Sequence, residues 1–96
     1  MKKAYIIVDV TIHDHERYED YKKLTPGSLI PFDGKFIVRG SPTETLEGAW
    51  EPNRLVVLEF PSLENARAWW SSETYGPAKT LRQSIAATNM IVVEGV

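Results

Sequence analysis

The sequence contains no cysteine and only two histidines among its 96 residues. The absence of cysteine excludes a disulfide framework, a Cys-ligated zinc site and thiol catalysis. No apolar run approaches the roughly 20 residues needed to cross a bilayer. Eleven basic and 13 acidic residues give a net charge of −2, which provides no general attraction to nucleic acid or acidic lipid. We therefore expect a cytoplasmic protein that binds neither nucleic acid nor a membrane.

The length of the chain predicts one domain, residues 1–96, with a small core. A folded chain of this size buries only roughly 60–68% of the surface that its unfolded form exposes. Because its stability is then marginal, such a domain benefits from a partner subunit that covers further apolar surface.

Hydrophobic periodicity predicts four strands and two helical regions. Asp14 is a suitable N-cap for a first helix that begins near His15 and is interrupted at Pro26. Ser62 caps a second helical region, whose apolar face is predicted to carry Leu63, Ala66 and Trp70. A break at Ser71 and Ser72 separates this segment from a further helix that ends near Ala86. The predicted strands cover residues 4–12, 35–39, 55–60 and 90–94.

The order of these elements is β-α-β-β-α-β, and the two halves repeat the same strand, N-cap, helix and strand. Two right-handed βαβ crossovers placed side by side form an α+β ferredoxin-like sandwich. We predict an antiparallel four-stranded sheet in the order 4-1-3-2, with strands one and three parallel at its centre. The segment from Gly40 to Asn53 is predicted to be irregular. It is either a functional loop or an extended hairpin connection whose Trp50 packs on the rim.

Both faces of the predicted sheet are apolar, although two helices can cover only one of them. The second face mixes large apolar residues with Asp9, Arg39 and Glu59, and its apolar area exceeds what a monomer usually exposes. We therefore predict a homodimer in which the mixed faces pack against each other as a dimeric α/β barrel. The helix-packing face is predicted to carry Ile6, Val8, Val10, Phe36, Val38, Val56, Leu58 and Phe60. The mixed face offers Tyr5, Ile7, Ile37, Leu55 and Val57.

Several functions that other proteins of this fold perform do not fit the sequence. Strand three lacks the basic and aromatic motif of RNA-recognition domains. The loop after strand one contains His13, Asp14, His15 and Glu16, whose acidic residues would repel a phosphate. Its histidines have ligand chemistry, but neighbours at a strand-to-helix junction point in different directions, and no third ligand is identifiable. We therefore predict neither a metal site nor a haem or other cofactor.

Asp9 and Glu59 occupy matching positions in the two predicted central strands. Two carboxyl groups held close together raise the pKa of one of them and form an acid/base pair. The alternative is that each carboxylate forms an ion pair with an arginine, because buried charges are usually paired. The candidate partners are Arg39, Arg54 and Arg82.

Aromatic residues cluster on or beside the helices. They either line an apolar pocket or belong to the core. Adjacent Trp69 and Trp70 diverge by about 100° on a helix, so one of them faces a cleft, an interface or solvent. The full set comprises Tyr18, Tyr21, Trp69, Trp70 and Tyr75, with Trp50 on the loop.

Short segments along the whole chain resemble the domain-of-unknown-function family thirteen-thirty of the dimeric α/β-barrel superfamily. The resemblance implies a ferredoxin-like protomer and a homodimer, and it implies no reaction. The wider superfamily includes cofactor-free monooxygenases, muconolactone-type isomerases, haem enzymes and stress-response binding proteins, and the sequence lacks the placed histidine of the haem branches. The segments are Tyr5-Ile6-Ile7-Val8-Asp9-Val10, Arg17-Tyr18-x-x-Tyr21, Arg39-Gly40, Leu46-Glu47-Gly48, Leu58-Glu59-Phe60-Pro61-Ser62, Tyr75, Leu81-Arg82-Gln83 and Glu94-Gly95.

Two functions remain open from the sequence. The first is a cofactor-independent enzyme, monooxygenase-like or isomerase-like, with a small organic substrate between sheet and helices. Its predicted proton-transfer residues are Glu59, Asp9 and Tyr75, and its predicted substrate-binding residues are Arg39, Arg82, Tyr18, Trp50 and Trp69. The second is a non-catalytic dimeric ligand-binding or stress-response module. Pairing of Arg39 with Glu59 or Glu94 would favour the second, and unpaired polar groups around a pocket would favour the first.

Overall fold

The computed structural model describes residues 1–96 and has the predicted ferredoxin-like order of elements. The sheet order is β2-β3-β1-β4, which confirms the predicted order 4-1-3-2. The strands are β1 (Ala4–Ile12), β2 (Lys35–Arg39), β3 (Leu55–Phe60) and β4 (Ala86–Glu94). The helices are α1 (His15–Leu29), α2 (Leu63–Trp70) and α3 (Gly76–Ile85), with a short 3-10 helix at Ile30–Phe32. None of the helices combines the length and apolar character needed to cross a membrane.

Every pair of neighbouring strands in the sheet is antiparallel. The prediction that strands one and three run parallel is therefore wrong. The crossover through α1 makes β2 parallel to β1, and the following β2–β3 connection reverses the chain once more. Asp9 consequently lies opposite Leu55, and Glu59 lies opposite Tyr5.

The first helix begins where the sequence predicts and continues without a break through the proline that is predicted to interrupt it. Asp14 caps α1 by accepting a hydrogen bond from the backbone N–H of Arg17 at 3.1 Å. Pro26 lies inside the helix, which continues to Leu29. A proline removes the hydrogen bond to the carbonyl four residues earlier, here that of Lys22. That carbonyl accepts instead from Nη2 of Arg39 at 2.9 Å, so the interruption is compensated from β2.

The core lies between the three helices and one face of the sheet. It contains 16 buried residues, among them Val8, Leu58 and Phe60 of the strands. Trp69 is fully buried, and Trp70 is 44% exposed. The prediction that Trp70 lies on the packed face of α2 is therefore wrong, and Trp69 takes that place because it stacks on Tyr75 and lies beside Phe60.

The opposite face of the sheet, which we call the open face, is covered by no helix. Its exposed apolar residues include Ile37 and Ile91, the latter 60% exposed. A bulge between Phe36 and Val38 shifts the β2–β3 register, so that Val38 pairs with Val57 and Arg39 with Val56. The prediction that Val38 lies on the helix-packing face and Arg39 on the mixed face is therefore wrong. Beyond the bulge, the alternation reverses, and Arg39 lies on the helix side of the sheet.

Candidate functional site

A cavity lies between the helices and the sheet, and basic and aromatic side chains surround it. Its volume is about 20 Å³, enough for about one water molecule. It is a narrow space, so a ring-sized ligand requires its lining side chains to move. The lining residues are Val8, Val10, Tyr18, Tyr21, Lys22, Thr25, Phe36, Arg39, Arg54, Val56, Leu58, Trp69, Arg82 and Met90.

Arg39 reaches the cavity because of two irregularities in the local structure. The bulge in β2 turns Arg39 to the helix side, and Pro26 leaves the carbonyl of Lys22 free to accept its Nη2 hydrogen. Its guanidinium carbon also lies 4.2 Å from the ring centre of Phe36, which is a cation–π contact. The contacts hold Arg39 at the cavity without a carboxylate partner.

Arg54 enters the cavity from the residue that precedes β3. Its guanidinium carbon lies 5.5 Å from the ring centre of Tyr18. Its Nε atom is buried and has no hydrogen-bond partner. Gly40, with φ at +74°, lies against this guanidinium, and a Cβ atom there would come within 2.7 Å of the Arg54 Cζ. A residue with a side chain at position 40 would therefore displace Arg54.

Arg82 is the most deeply buried of the three arginines, with 3% of its surface exposed. Its Nε donates to the hydroxyl of Tyr75 at 3.3 Å, and Nη1 donates to Thr88 Oγ1 at 2.7 Å. The Tyr75 hydroxyl in turn lies 2.8 Å from that of Tyr21. These contacts form a chain of polar groups from α3 across to α1 inside an otherwise apolar region.

The cavity has a strong positive bias. None of the three arginines forms an ion pair, because every ion pair of the protein involves a lysine. No aspartate, glutamate or histidine lines the cavity. Arg82 is buried, Arg54 is half-buried and Arg39 is exposed. A buried charge without a counter-ion is costly, and proteins usually compensate it with a partner or a ligand, which applies here to Arg82 and Arg54. The arrangement suits an anionic group.

The two tyrosines of α1 are held in their neutral forms. Burial, followed by the proximity of Tyr75, raises the pKa of Tyr21 well above its ordinary value. Burial, followed by the proximity of Tyr21, also raises the pKa of Tyr18, although Arg54 partly opposes this shift. Both phenols therefore remain hydrogen-bond donors at neutral pH.

Asp9 and Trp50 lie away from the cavity, although both were predicted site residues. Asp9 belongs to the open face, where its carboxylate accepts hydrogen bonds from Trp50 Nε1 and from the backbone N–H of Asn53, both at 3.0 Å. Asn53 Nδ2 also donates to Thr11 Oγ1 at 2.9 Å. We call this set the Asp9 clasp. It holds the long β2–β3 loop against the sheet, immediately before Arg54.

Glu59 also lies on the open face, at the other end of the sheet from Asp9. The prediction that these two carboxylates are neighbours is wrong, because it depended on parallel central strands. The predicted ion pairs of Asp9 and Glu59 with arginine are also absent from the protomer. Glu59 Oε1 instead contacts the Nζ atoms of Lys3 at 3.4 Å and Lys35 at 3.2 Å. Burial alone would raise the pKa of the Glu59 carboxyl, but the two lysines outweigh it and lower the pKa below its ordinary value.

Replacement of Glu59 with glutamine should make the stability of the protein less sensitive to acid. The lowered pKa means that the ionised carboxylate stabilises the fold above the ordinary pKa of 4.5, and that this contribution disappears as the pH falls through the lower folded value. Urea unfolding should therefore show a smaller free energy of unfolding for the variant at neutral pH, and this deficit should vanish once the pH is below the lowered pKa of Glu59. Glu44→Gln, on the exposed loop, is the control, and a deficit that persists in acid would contradict the assignment.

No group of three or more histidine, aspartate or glutamate side chains is arranged to hold a metal. Among the predicted substrate-binding residues, the structure brings Arg39, Arg82, Tyr18 and Trp69 together. Tyr75 joins them through its hydroxyl. From the sequence, Arg54 is predicted only as an ion-pair partner of Asp9 or Glu59. Nothing in the sequence pattern links Arg54 to Gly40, the glycine that makes room for it.

Comparison with known proteins supports the architecture and leaves the reaction open. A family model described as a domain of unknown function, DUF1330, matches residues 3–96. No functionally curated protein matches the chain.

Solved structures with a similar fold share little sequence with this chain. A protein of unknown function from Rhodopseudomonas palustris is 16% identical, with a TM-score of 0.77 over 99% of this chain and 83% of its own. SnoaB, a cofactor-independent oxygenase from Streptomyces nogalater, is 12% identical, with a TM-score of 0.68 over 100% and 95%. A dimeric ferredoxin-like protein of unknown function from Jannaschia sp. CCS1 is 14% identical, with a TM-score of 0.66 over 98% of each chain. At this level of identity, the likeness concerns the fold alone.

Proposed function

The chain belongs to the DUF1330 family, whose description assigns no activity, and from its cavity we propose that it binds a small organic anion with an apolar body. The observation that carries this proposal is that Arg39, Arg54 and Arg82 line one cavity without a carboxylate partner. Arginine is well suited to this role because its charge is permanent and its donors match planar anions.

The apolar part of the ligand is expected to contact the aromatic wall of the cavity. Tyr18, Tyr21 and Trp69 contribute this wall, and Val8, Val56 and Leu58 contribute the floor on the sheet. Binding sites of this kind combine a mostly apolar lining with a few polar groups that fix orientation. A ring or a short branched chain that carries one acidic group fits both parts of the lining.

In the first candidate function, the protein is an enzyme that converts the bound anion. The reaction would be isomerase-like or cofactor-independent oxygenase-like. The fold is shared with the cofactor-independent oxygenase SnoaB, and the arginines would stabilise a substrate that reacts as an enolate or phenolate. Proton transfer would fall to the hydroxyls of Tyr21 and Tyr75, 2.8 Å apart. Asp9 and Glu59 have no part in this form, because they lie on the open face.

Binding without turnover is the second candidate function, and a specific observation favours it. The cavity lining contains no carboxylate or imidazole, and the raised pKa of Tyr21 makes that phenol a poor base. In this second candidate function, the protein is a ligand-binding or stress-response module. The two candidate functions involve the same class of ligand and differ only in whether the protein converts it.

The proposal includes a homodimer formed through the open face. This face exposes large apolar residues and has no helix over it. Solved proteins with the same fold include two described as dimeric. Association would bury the exposed side chains of Ile37, Ile91 and Val93 between two sheets.

Thermal-shift measurements with aromatic acids, quinones and lactones test the proposal. Acids should raise the melting temperature of the wild-type protein, because a ligand that binds only the folded state stabilises it by mass action. Arg39→Gln should reduce the shift, and Arg17→Gln, on the exposed surface of α1, should not. Oxygen uptake and product analysis with each hit then separate turnover from binding. A panel in which only neutral compounds bind would contradict the proposed anion site.

A further inference from the structure

We infer that Arg54 is the residue that recognises the anionic group of the ligand, and that this group is a carboxylate. The inference rests on the proposed function and specifies its ligand class. Arg39 already donates to the carbonyl of Lys22, and Arg82 to Tyr75 and Thr88. Arg54 has a buried Nε without any hydrogen-bond partner. Arg54 is therefore the arginine with an unused hydrogen-bond donor. Because this donor is buried away from solvent, we expect a ligand atom to be its acceptor.

The unused donor of Arg54 favours a planar anion with two oxygens. In a guanidinium group, Nε–H and one Nη–H point in parallel and match the two oxygens of a carboxylate. The ring of Tyr18 beside the guanidinium extends an apolar surface from this edge. An aromatic or alicyclic carboxylic acid satisfies both features, whereas the corresponding amide brings neither the charge nor the second acceptor oxygen.

The fold holds Arg54 in place from both sides of the sheet. On the cavity side, Gly40 provides the space that the guanidinium occupies. On the open face, the Asp9 clasp fixes Asn53, the residue before Arg54, and the carbonyl of Arg54 accepts from the backbone N–H of Val10 at 2.9 Å. Asp9 and Gly40 are thus positioning residues for Arg54 and need not contact the ligand.

Calorimetric titration with benzoate, phenylacetate and cyclohexanecarboxylate tests this assignment, with benzamide as the uncharged counterpart of benzoate. At least one acid should bind the wild-type protein, and benzamide should bind at least about tenfold more weakly than benzoate if benzoate is the acid bound. Arg54→Gln and Arg54→Lys should each weaken the acid by roughly ten- to hundredfold, since lysine keeps the charge but loses the paired donors. Arg17→Gln, which removes an equal charge from the surface, should leave the affinity unchanged.

A second variant keeps the assignment testable if a substitution affects folding. Arg54→Met fills the same space without a buried unsatisfied donor, so it should melt at a higher temperature than the wild type and lose the acid-induced shift. Failure of all three acids to bind the wild type would overturn both the proposed function and this inference. Acid binding that survives in Arg54→Gln and Arg54→Lys would overturn the inference alone and leave the anion site to Arg39 and Arg82.

Discussion

Replacement of Trp69 with alanine is expected to lower the free energy of unfolding by about 3–5 kcal/mol, the range for removing a large aromatic side chain from a core. The side chain has no exposed surface. Its ring stacks on Tyr75 at 3.9 Å between centres, and its Nε1 donates to Ser28 Oγ at 3.0 Å. Alanine would leave a cavity and remove the hydrogen bond from Trp69 to Ser28, whose hydroxyl would still donate to the carbonyl of Thr25 at 2.6 Å. For a domain of this size, the melting temperature should fall by at least about 12 °C.

The neighbouring tryptophan supplies a matched control for this experiment. Trp70→Ala removes the same side chain one residue away, where it is 44% exposed and forms a cation–π contact with Lys79 at 3.9 Å. The expected loss is about 1 kcal/mol. Urea unfolding of both variants measures the difference directly. Equal losses for the two variants would contradict the orientation of α2.

The elements of the fold follow from local patterns, whereas the orientation of α2 does not. Strand alternation and the N-caps Asp14 and Ser62 were sufficient to predict the order of elements and of strands. The burial of Trp69 instead of Trp70 depends on which residue reaches Tyr75 and Phe60 across the core. Since the two positions are equally apolar, the sequence of the helix alone contains no information on that choice.

The location of Arg39 also depends on features that a sequence pattern does not reveal. Strict alternation along β2 places Arg39 on the open face, but one bulge reverses the alternation after Ile37. The proline of α1 appears in the sequence as a helix breaker. In the folded protein, it frees the carbonyl that Arg39 uses. The bulge in β2 and the proline in α1 both position Arg39. Their effect depends on how β2 packs against α1, which neither segment of the sequence shows by itself.

The carboxylates show how an error in topology propagates to a predicted site. The prediction that Asp9 and Glu59 form a pair depends on parallel central strands. In the antiparallel sheet they lie at opposite ends, where one holds a loop and the other binds two lysines. Arg39 and Arg82 are predicted as binding residues from the sequence, but the lack of acidic partners around the cavity arginines, which supports the anion site, is a property of the folded structure alone.

The unpaired arginines and the uncovered sheet face both affect the free energy of unfolding of the protomer. The buried Arg82 and the half-buried Arg54, which have no counter-ions, reduce the stability of a domain that already has a small core. Burial of the open face against a second subunit would offset that loss, since each apolar side chain that it covers contributes roughly 1.5–3 kcal/mol before the cost of association. The proposed dimer would therefore allow the protomer to maintain unpaired charges at its cavity.

Substitution of Ile91 with aspartate should convert the proposed dimer into a monomer. Ile91 is 60% exposed and pairs with Ile7 on the open face. In a twofold-symmetric dimer, each substitution occurs twice in the interface. Loss of about 1.5–3 kcal/mol of apolar burial at each copy weakens the dissociation constant by roughly 10²- to 10⁴-fold, and the buried charge adds to this. Sedimentation equilibrium at micromolar concentration measures the change.

The control for the dimer substitution is Ile30→Asp, because Ile30 is 75% exposed but belongs to the 3-10 helix, away from the open face. It introduces the same charge and removes the same side chain, so it should leave the sedimentation of the protein unchanged. Circular dichroism of both variants separates dissociation from unfolding. A wild-type protein that sediments as a monomer, or an Ile91→Asp variant that remains dimeric beside a dimeric wild type, would show that the open face is not the interface. The apolar residues of β1 and β4 would then require another partner to cover them.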